Sequence, residues 1–300
     1  MKDLLIYPLE HLAITGFSGT DTLNFLQGQG TQDYLQMGER PALPGAFCNA
    51  KGRVVTNVWN LLLQQDPADI KLICHASSAP LLQAHLKKYL PFFRGSRMQD
   101  ERLVFHGLGL SGPAVTDWLN ASLGQASKGV WQKQGHFAFV LPDGRAQYWL
   151  NATAEDYEDR LAAIEQETVC PGEVWQRLDI EAGYPWVEAH QHLSFIPQML
   201  NLDTLEGVSF KKGCYTGQEV VARLHYKGQS KRTLGSLTWS GDAVPDSLNL
   251  YNETGPAGEW VNWVKPDDSG AGLAVLKSSD RDQPLFLDEG RRCPLKLLQS

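Results

Sequence analysis

Residues 209–231 read S-F-K-K-G-C-Y-T-G-Q-E-V-V-A-R-L-H-Y-K-G-Q-S-K. The run sets one thiol, Cys214, between Gly213 and Tyr215, directly after Lys211 and Lys212. Glycines at 213 and 217 let the backbone come close to a bound group. Thiol chemistry proceeds through the thiolate, which neighbouring cations or a positive helix end favour, so the local sequence suits a functional cysteine. The plain alternative is a small buried hydrophobe, as most free cysteines are. Pattern alone leaves the two balanced.

Outward from this run the texture of the chain changes on either side. Beyond Lys231, turns of Gly, Pro, Asp and Ser separate short β-like segments at 233–239, 260–264, 272–276, 285–287 and 294–298. That pattern predicts a small all-β barrel or sandwich, with the boundary near residues 230–232. Upstream, strands and helices mix. An extended stretch covers 4–17, and Ser18 or Thr20 opens a short helix that stops at Gly28. The Q-G-Q-G-T-Q-D run (27–33) is a loop, because its glycine spacing is not that of a dinucleotide fold. A hairpin follows: 46–48, the turn Asn49-Ala50-Lys51-Gly52, and a long strand from Arg53 to Leu63. Further strands fall at 70–74, near 103–110, at 137–140 and at 148–150. Helices open near Ser77 or Ser78, near Pro113 and at Thr153, and another spans 173–182. This order predicts an α+β fold with antiparallel sheets over 1–230, followed by the β-barrel over 231–300. No internal repeat stands out.

The chain has 300 residues, 42% hydrophobic and 20% charged, with a formal net charge of −7. That composition is globular, and no apolar run is long enough to cross a bilayer. The N-terminus lacks a signal-peptide cleavage pattern, so the expected compartment is the cytoplasm. Cys48, Cys74, Cys170, Cys214 and Cys293 are widely spaced, which argues against a disulfide framework, a zinc site or a permanently held iron–sulfur cluster. The acidic balance argues against a general nucleic-acid surface. Even so, Lys211, Lys212, Arg223, Lys227, Lys231 and Arg232 cluster in this acidic chain and suit a small anionic ligand. Glu181 falls in the last turn of its helix, where the macrodipole disfavours a carboxylate. An i, i+4 pair with Arg177 is one explanation.

K-K-G-C-Y-T-G-Q-E (211–219), F-I-P-Q-M-L-N-L-D (195–203), R-L-D-I-E-A-G-Y-P (177–185) and C-N-A-K-G-R (48–53) together resemble the YgfZ family of folate-binding proteins, in order and spacing along nearly the whole chain. That family is related to the folate-binding aminomethyltransferase, the T-protein of the glycine cleavage system. The resemblance implies a folate-binding region of two similar parts around a central hole, then the barrel. It implies tetrahydrofolate or a one-carbon-substituted folate as ligand. It also implies a supporting role for iron–sulfur enzymes or their assembly, including enzymes of tRNA modification.

By the same resemblance Glu181 matches the residue that holds the pterin, whose amino group and ring N–H one carboxylate can accept side by side. Lys211, Lys212 and Arg223 are candidates for the anionic glutamate tail, joined by Lys231 or Arg232, and Tyr184 and Tyr215, with Trp186 and Phe195, for stacking. Cys214 is the candidate functional thiol. Asn57 stands where the T-protein relatives carry an acid, and an amide cannot act as a carboxylate acid or base. The expectation is therefore an accessory protein rather than an enzyme. The alternative is a folate-dependent aminomethyl or one-carbon transferase. No direct nucleic-acid contact and no membrane association are expected.

Overall fold

The computed structural model describes residues 3–162, 168–228 and 230–298. In chain order the body carries strands β1 (Leu5–Pro8), β2 (Leu12–Gly19), β3 (Ala42–Cys48), β4 (Val54–Gln65) and β5 (Ala68–His75). It continues with β6 (Arg97–Asp100), β7 (Phe105–Ser111), β8 (Val130–Lys133), β9 (His136–Val140) and β10 (Ala146–Asn151). Its helices are α1 (Thr22–Gln27), α2 (Ala79–Lys87), α3 (Val115–Leu123), α4 (Ala154–Ala162), α5 (Gly172–Glu181) and α6 (Gln218–Lys227). The C-terminal strands are β11 (Arg232–Ser240), β12 (Asn249–Tyr251), β13 (Pro256–Val264), β14 (Ser269–Lys277), β15 (Leu285–Phe286) and β16 (Pro294–Leu297).

These strands sort into two five-stranded sheets, β3-β4-β5-β2-β6 and β1-β7-β10-β9-β8, and a closed six-stranded barrel, β11-β14-β13-β12-β15-β16. All pairings between these strands are antiparallel. The α+β class with a terminal barrel thus holds. The two sheets also share a plan. Each runs strand, helix, three-stranded meander, helix, through β2-α1-β3-β4-β5-α2 and then β7-α3-β8-β9-β10-α4. The edge position held by β6 in the first sheet is filled in the second by β1 from the N-terminus.

Why β4 is rich in Val and Leu at both odd and even positions is clear from its two faces. Val58 and Leu62 pack outward under α1 and α2, whereas Trp59 and Leu61 face the space between the sheets. A strand buried on both faces loses the alternation of a half-exposed one. Between the sheets lies an aromatic core. Trp59 meets Phe139 and Tyr184 at 5.7 Å each, Phe105 meets Phe137 at 5.2 Å, and Tyr7 meets Trp175 at 5.7 Å. Each such pair adds roughly 0.5–1.5 kcal/mol beyond its burial. At the junction of the first sheet, α5 and the barrel, this packing leaves a cavity of only about 30 Å³, with His11, His75, Asp179, Tyr184 and Trp186 in its wall.

Several details depart from expectation. The extended stretch 4–17 is two strands that go to different sheets. Ser18 belongs to β2, and α1 begins after Asp21, whose side chain makes no cap bond. Strands β6, β8 and β12 and helix α6 were not foreseen. Among the described residues no helix is long and apolar enough to cross a membrane.

Candidate functional site

Three of the stretches that carry the resemblance, and the helix that follows the fourth, converge on one core. Ala46, Cys48 and Val54 of the first hairpin, Ile180 of α5, Phe195, Leu200 and Leu202, and Val221 of α6 pack together with barrel residues Leu234, Val261, Leu273 and Val275. Close backbone approach explains two glycines there. Gly217, at φ +87, precedes α6, and a Cβ on it would lie 2.4 Å from the Asn49 carbonyl oxygen. Gly52, at φ +68, faces Val220, which a Cβ would meet at 2.8 Å. The 49–52 turn is thereby seated on the start of α6.

Within the 211–219 run, Lys212 and Tyr215 are buried while the residues around them are partly or fully exposed. Lys212 is buried, and its Nζ donates to the carbonyls of Gly30 at 2.7 Å and Gln32 at 2.5 Å. It also sits over the rings of Tyr34 and Tyr215, 5.6 and 5.0 Å from their centroids. Burial pulls its pKa down to about 7, with Asp33 opposing. Tyr215 is buried beneath it, and burial raises its phenol pKa. Thr216 ties the run to the 27–33 loop, donating from its N–H to Gly28 O at 3.1 Å and from Oγ1 to Gln29 Oε1 at 3.1 Å. Against this fixed backing Lys211, Gly213 and Cys214 face solvent, and Arg223 is exposed on α6. His225 stacks on Phe210 at 3.6 Å.

Glu181 ends α5 with its side chain 44% exposed, accepting from Arg177 Nε at 3.1 Å. Arg177 reaches on to Asp267 and Ser269, so this pair also fastens α5 to the barrel. Beside Glu181 opens a cavity of about 570 Å³, whose wall includes Asn201, Thr204, Thr233, Ser236 and Arg281. Arg281 donates from Nη2 to Leu234 O, and its Nε is buried with no hydrogen-bond partner among the described residues. None of Lys211, Lys212, Cys214, Tyr215 and Arg223 is in that wall. Tyr184 lies across the turn from Glu181, in the wall of the small cavity at the barrel junction, with burial raising its pKa to about 12.

Asn57 is fully used by backbone. Its Nδ2 donates to Pro185 O at 2.7 Å and its Oδ1 accepts from Val187 N–H at 2.8 Å, so it pins the segment after α5 to β4. Trp186 is held on its other side by Asn262 of β13, through both backbone groups at 2.6 and 2.7 Å. Sequence reasoning missed the acid at this junction. Asp179 is buried, 2.8 Å from Arg145, and accepts from Trp186 Nε1 at 2.9 Å. Burial pushes its carboxyl up to about 6, with Arg145 and Trp186 opposing. The available signal was its place four residues after the buried Trp175 on α5. Among the described residues no cluster of His, Cys, Asp and Glu is arranged to hold a metal ion.

No protein-family model matches the chain. Against solved structures, the aminomethyltransferase T of the glycine cleavage system from Bartonella henselae superposes with a TM-score of 0.76 at 14% identity, covering 99% of this chain and 85% of that one. At that identity the likeness establishes the fold. In sequence, the chain is 32% identical over 290 residues to the tRNA-modifying protein YgfZ of Escherichia coli O157:H7, covering 93% of this chain and 87% of the relative. The tRNA-modifying protein YgfZ of Escherichia fergusonii matches with the same identity and coverage. With the fold of an aminomethyltransferase, and with that identity sustained along almost its full length, the chain belongs to the family of the tRNA-modifying protein YgfZ.

Proposed function

We propose that this protein binds a reduced folate in the cavity beside Glu181 and acts as an accessory factor for iron–sulfur enzymes, including those that modify tRNA, with Cys214 as its functional thiol. The observation that carries the reading is the donor and acceptor set of that cavity. Glu181 offers a carboxylate acceptor, and Arg281 has a buried Nε–H with no partner among the described residues. A pterin presents an amino group and ring N–H to the first and a carbonyl oxygen to the second. The volume, about 570 Å³, falls in the range of small-molecule sites, roughly 300–1,000 Å³. The glutamate tail would leave the cavity toward solvent, where Lys211 and Arg223 are the exposed cations of the motif. Lys212 supports that surface from beneath.

Two features favour an accessory factor over a transferase. The amide of Asn57 is engaged on both sides by backbone and supplies no acid. The thiol of Cys214 is exposed, as a partner protein would require. One feature favours one-carbon transfer instead: Asp179, a buried carboxyl with its pKa pushed up to about 6, beside the small cavity at the barrel junction. Calorimetric titration with tetrahydrofolate, combined with product analysis using a one-carbon donor, separates the readings. Glu181→Gln and Arg281→Met should each weaken binding about tenfold or more, since each removes a charged hydrogen-bonding group. Unchanged affinity in both variants would put the pterin elsewhere, and turnover abolished by Asp179→Asn would make the protein a transferase.

A further inference from the structure

A cleft of about 490 Å³ lies along the edge of the first sheet, between the end of β2, the start of β5 and the loop leading into β6. It shares no residue with the Glu181 cavity. Its wall holds the cations Lys71, Arg94 and Arg97, the hydroxyls of Ser18 and Thr20, and one acid, Asp69.

The loop is firmly built. Phe93 points inward and meets Phe25 at 5.3 Å, and Gly95 N–H donates to Asp21 Oδ2 at 2.7 Å. Ser96 Oγ and Thr22 Oγ1 are hydrogen-bonded at 3.0 Å. Gly19, at φ +121, lies so close that a Cβ would fall 2.0 Å from Gly95 O. This anchoring turns Arg94, Arg97 and Phe92 outward, and Phe92 is 81% exposed. Two Cα–Cα steps of ~3.8 Å keep Phe92 within about 8 Å of Arg94 along the backbone.

The local charge balance is positive, against a net charge of −7 for the chain. Residues 87–97 read K-K-Y-L-P-F-F-R-G-S-R, with Lys87, Lys88, Arg94 and Arg97 and no acid. Nearby carboxylates already have partners: Asp69 and Glu101 take Lys71 at 3.2 and 2.8 Å, Asp100 takes Arg102 at 2.6 Å, and Asp21 takes the Gly95 N–H. Arg94 and Arg97 make no ion pair among the described residues and are exposed. Two unneutralised guanidinium groups, a hydroxyl-lined cleft and one exposed ring next to them match the needs of a single nucleic-acid strand. Phosphates take the cations, and a base stacks on the ring. A lipid surface would instead call for a broad apolar face beside the cations.

We propose that this cleft, with Phe92, is a binding site for a single nucleic-acid strand, in which Arg94 and Arg97 hold consecutive phosphates and Phe92 stacks on a base. The net charge of −7 does not oppose a contact of this size, because exposed charges farther away than ~10 Å are screened at ordinary salt. It does make binding modest and strongly dependent on ionic strength.

The test is fluorescence anisotropy of the full chain with a labelled, unstructured RNA of roughly 12 nucleotides. Phosphatidylserine-containing vesicles serve as a second probe. Arg94→Ala/Arg97→Ala should weaken RNA binding at least about tenfold at ~50 mM salt and reduce the slope of log K against log salt by about 1.4, near 0.7 per phosphate contact. Phe92→Ala should weaken it roughly 5- to 150-fold, the value of one base–aromatic stack. All three side chains are exposed, so melting temperatures should stay at the wild-type value, and tetrahydrofolate affinity should not change. Three results would overturn the proposal: no RNA binding by the wild type at low salt, equal binding by the variants, or arginine-dependent binding of the vesicles in place of RNA. Loss of folate binding in Glu181→Gln with RNA binding intact would leave the two sites independent.

Discussion

Replacing Asn57 by aspartate gives the sharpest test of what this residue does. In the wild type the amide donates to Pro185 O and accepts from Val187 N–H. In Asn57→Asp a carboxylate keeps the second bond and loses the first, and it faces a buried carbonyl that now has no donor. An orphaned buried acceptor costs about 1–3 kcal/mol, and burying the new charge adds to this while the stronger bond to Val187 offsets part of it. The net expectation is a loss of about 2–4 kcal/mol at pH 8, or roughly 3–6 °C in melting temperature for a chain of this size.

The loss must depend on pH. The protonated carboxyl introduced by Asn57→Asp could donate to Pro185 O as the amide does, so the folded variant holds this proton more tightly than its unfolded chain, where the pKa is about 3.9. A folded pKa above the unfolded one means the deficit is smallest at low pH and grows as pH rises through the folded pKa. A deficit of about 3 kcal/mol corresponds to roughly two pKa units, with a midpoint near pH 6. Thermal melts of both proteins from pH 5 to pH 8 read this directly. A variant that melts within about 2 °C of wild type at pH 8, or whose deficit is as large at pH 5 as at pH 8, would refute the structural role. The variant should gain no one-carbon transferase activity.

Lys212→Met should destabilise the protein by about 2–4 kcal/mol, because the carbonyls of Gly30 and Gln32 lose their donor. Since burial lowers the Lys212 pKa to about 7, the unfolded chain binds more protons above that pH. The lysine's contribution therefore rises with pH from about 7 toward the unfolded value and is lost as pH falls through 7, and the variant should show a flatter stability profile between pH 7 and 10. Cys214→Ser should melt within about 0.5 kcal/mol of wild type because the thiol is exposed, yet fail to support iron–sulfur enzyme activity in a complementation assay. A collapse in stability would return Cys214 to a packing role.

Much of the fold was legible because local rules agreed with one another. The turn at 49–52, the Val- and Leu-rich β4 and the glycine-punctuated strands after residue 231 each carry a strong local signal. Other features had none. The break between β1 and β2 is invisible because both are short and extended, and only the sheets they join tell them apart. The repeated plan of the two sheets came through the family resemblance alone, because it is a likeness of topology: the middle strand of the meander is β4, with 12 residues, in one half and β9, with 5, in the other. Helix α6 was obscured by the glycines at its start. At the candidate site the sequence singled out Cys214 and Glu181, and it could not separate Lys212 from its neighbours. The difference between Lys211 in solvent and Lys212 beneath the loop comes from the carbonyls of Gly30 and Gln32, 182 and 180 residues away in the chain.

The borrowed edge strand has a consequence for how the protein is made. On the ribosome, β2 through β6 emerge as a complete sheet once Asp100, the last residue of β6, is out. β1, synthesised before any of them, pairs with β7, Ile6 opposite Leu110, and on its other edge bridges Val169, which emerges later still. The nascent chain therefore carries its first strand idle through the birth of an entire half, then uses it to close the second. Folding by N-terminal units would leave that strand exposed to wrong partners while the whole first sheet is completed, so β1 is where a chaperone at the ribosome exit would have much to protect.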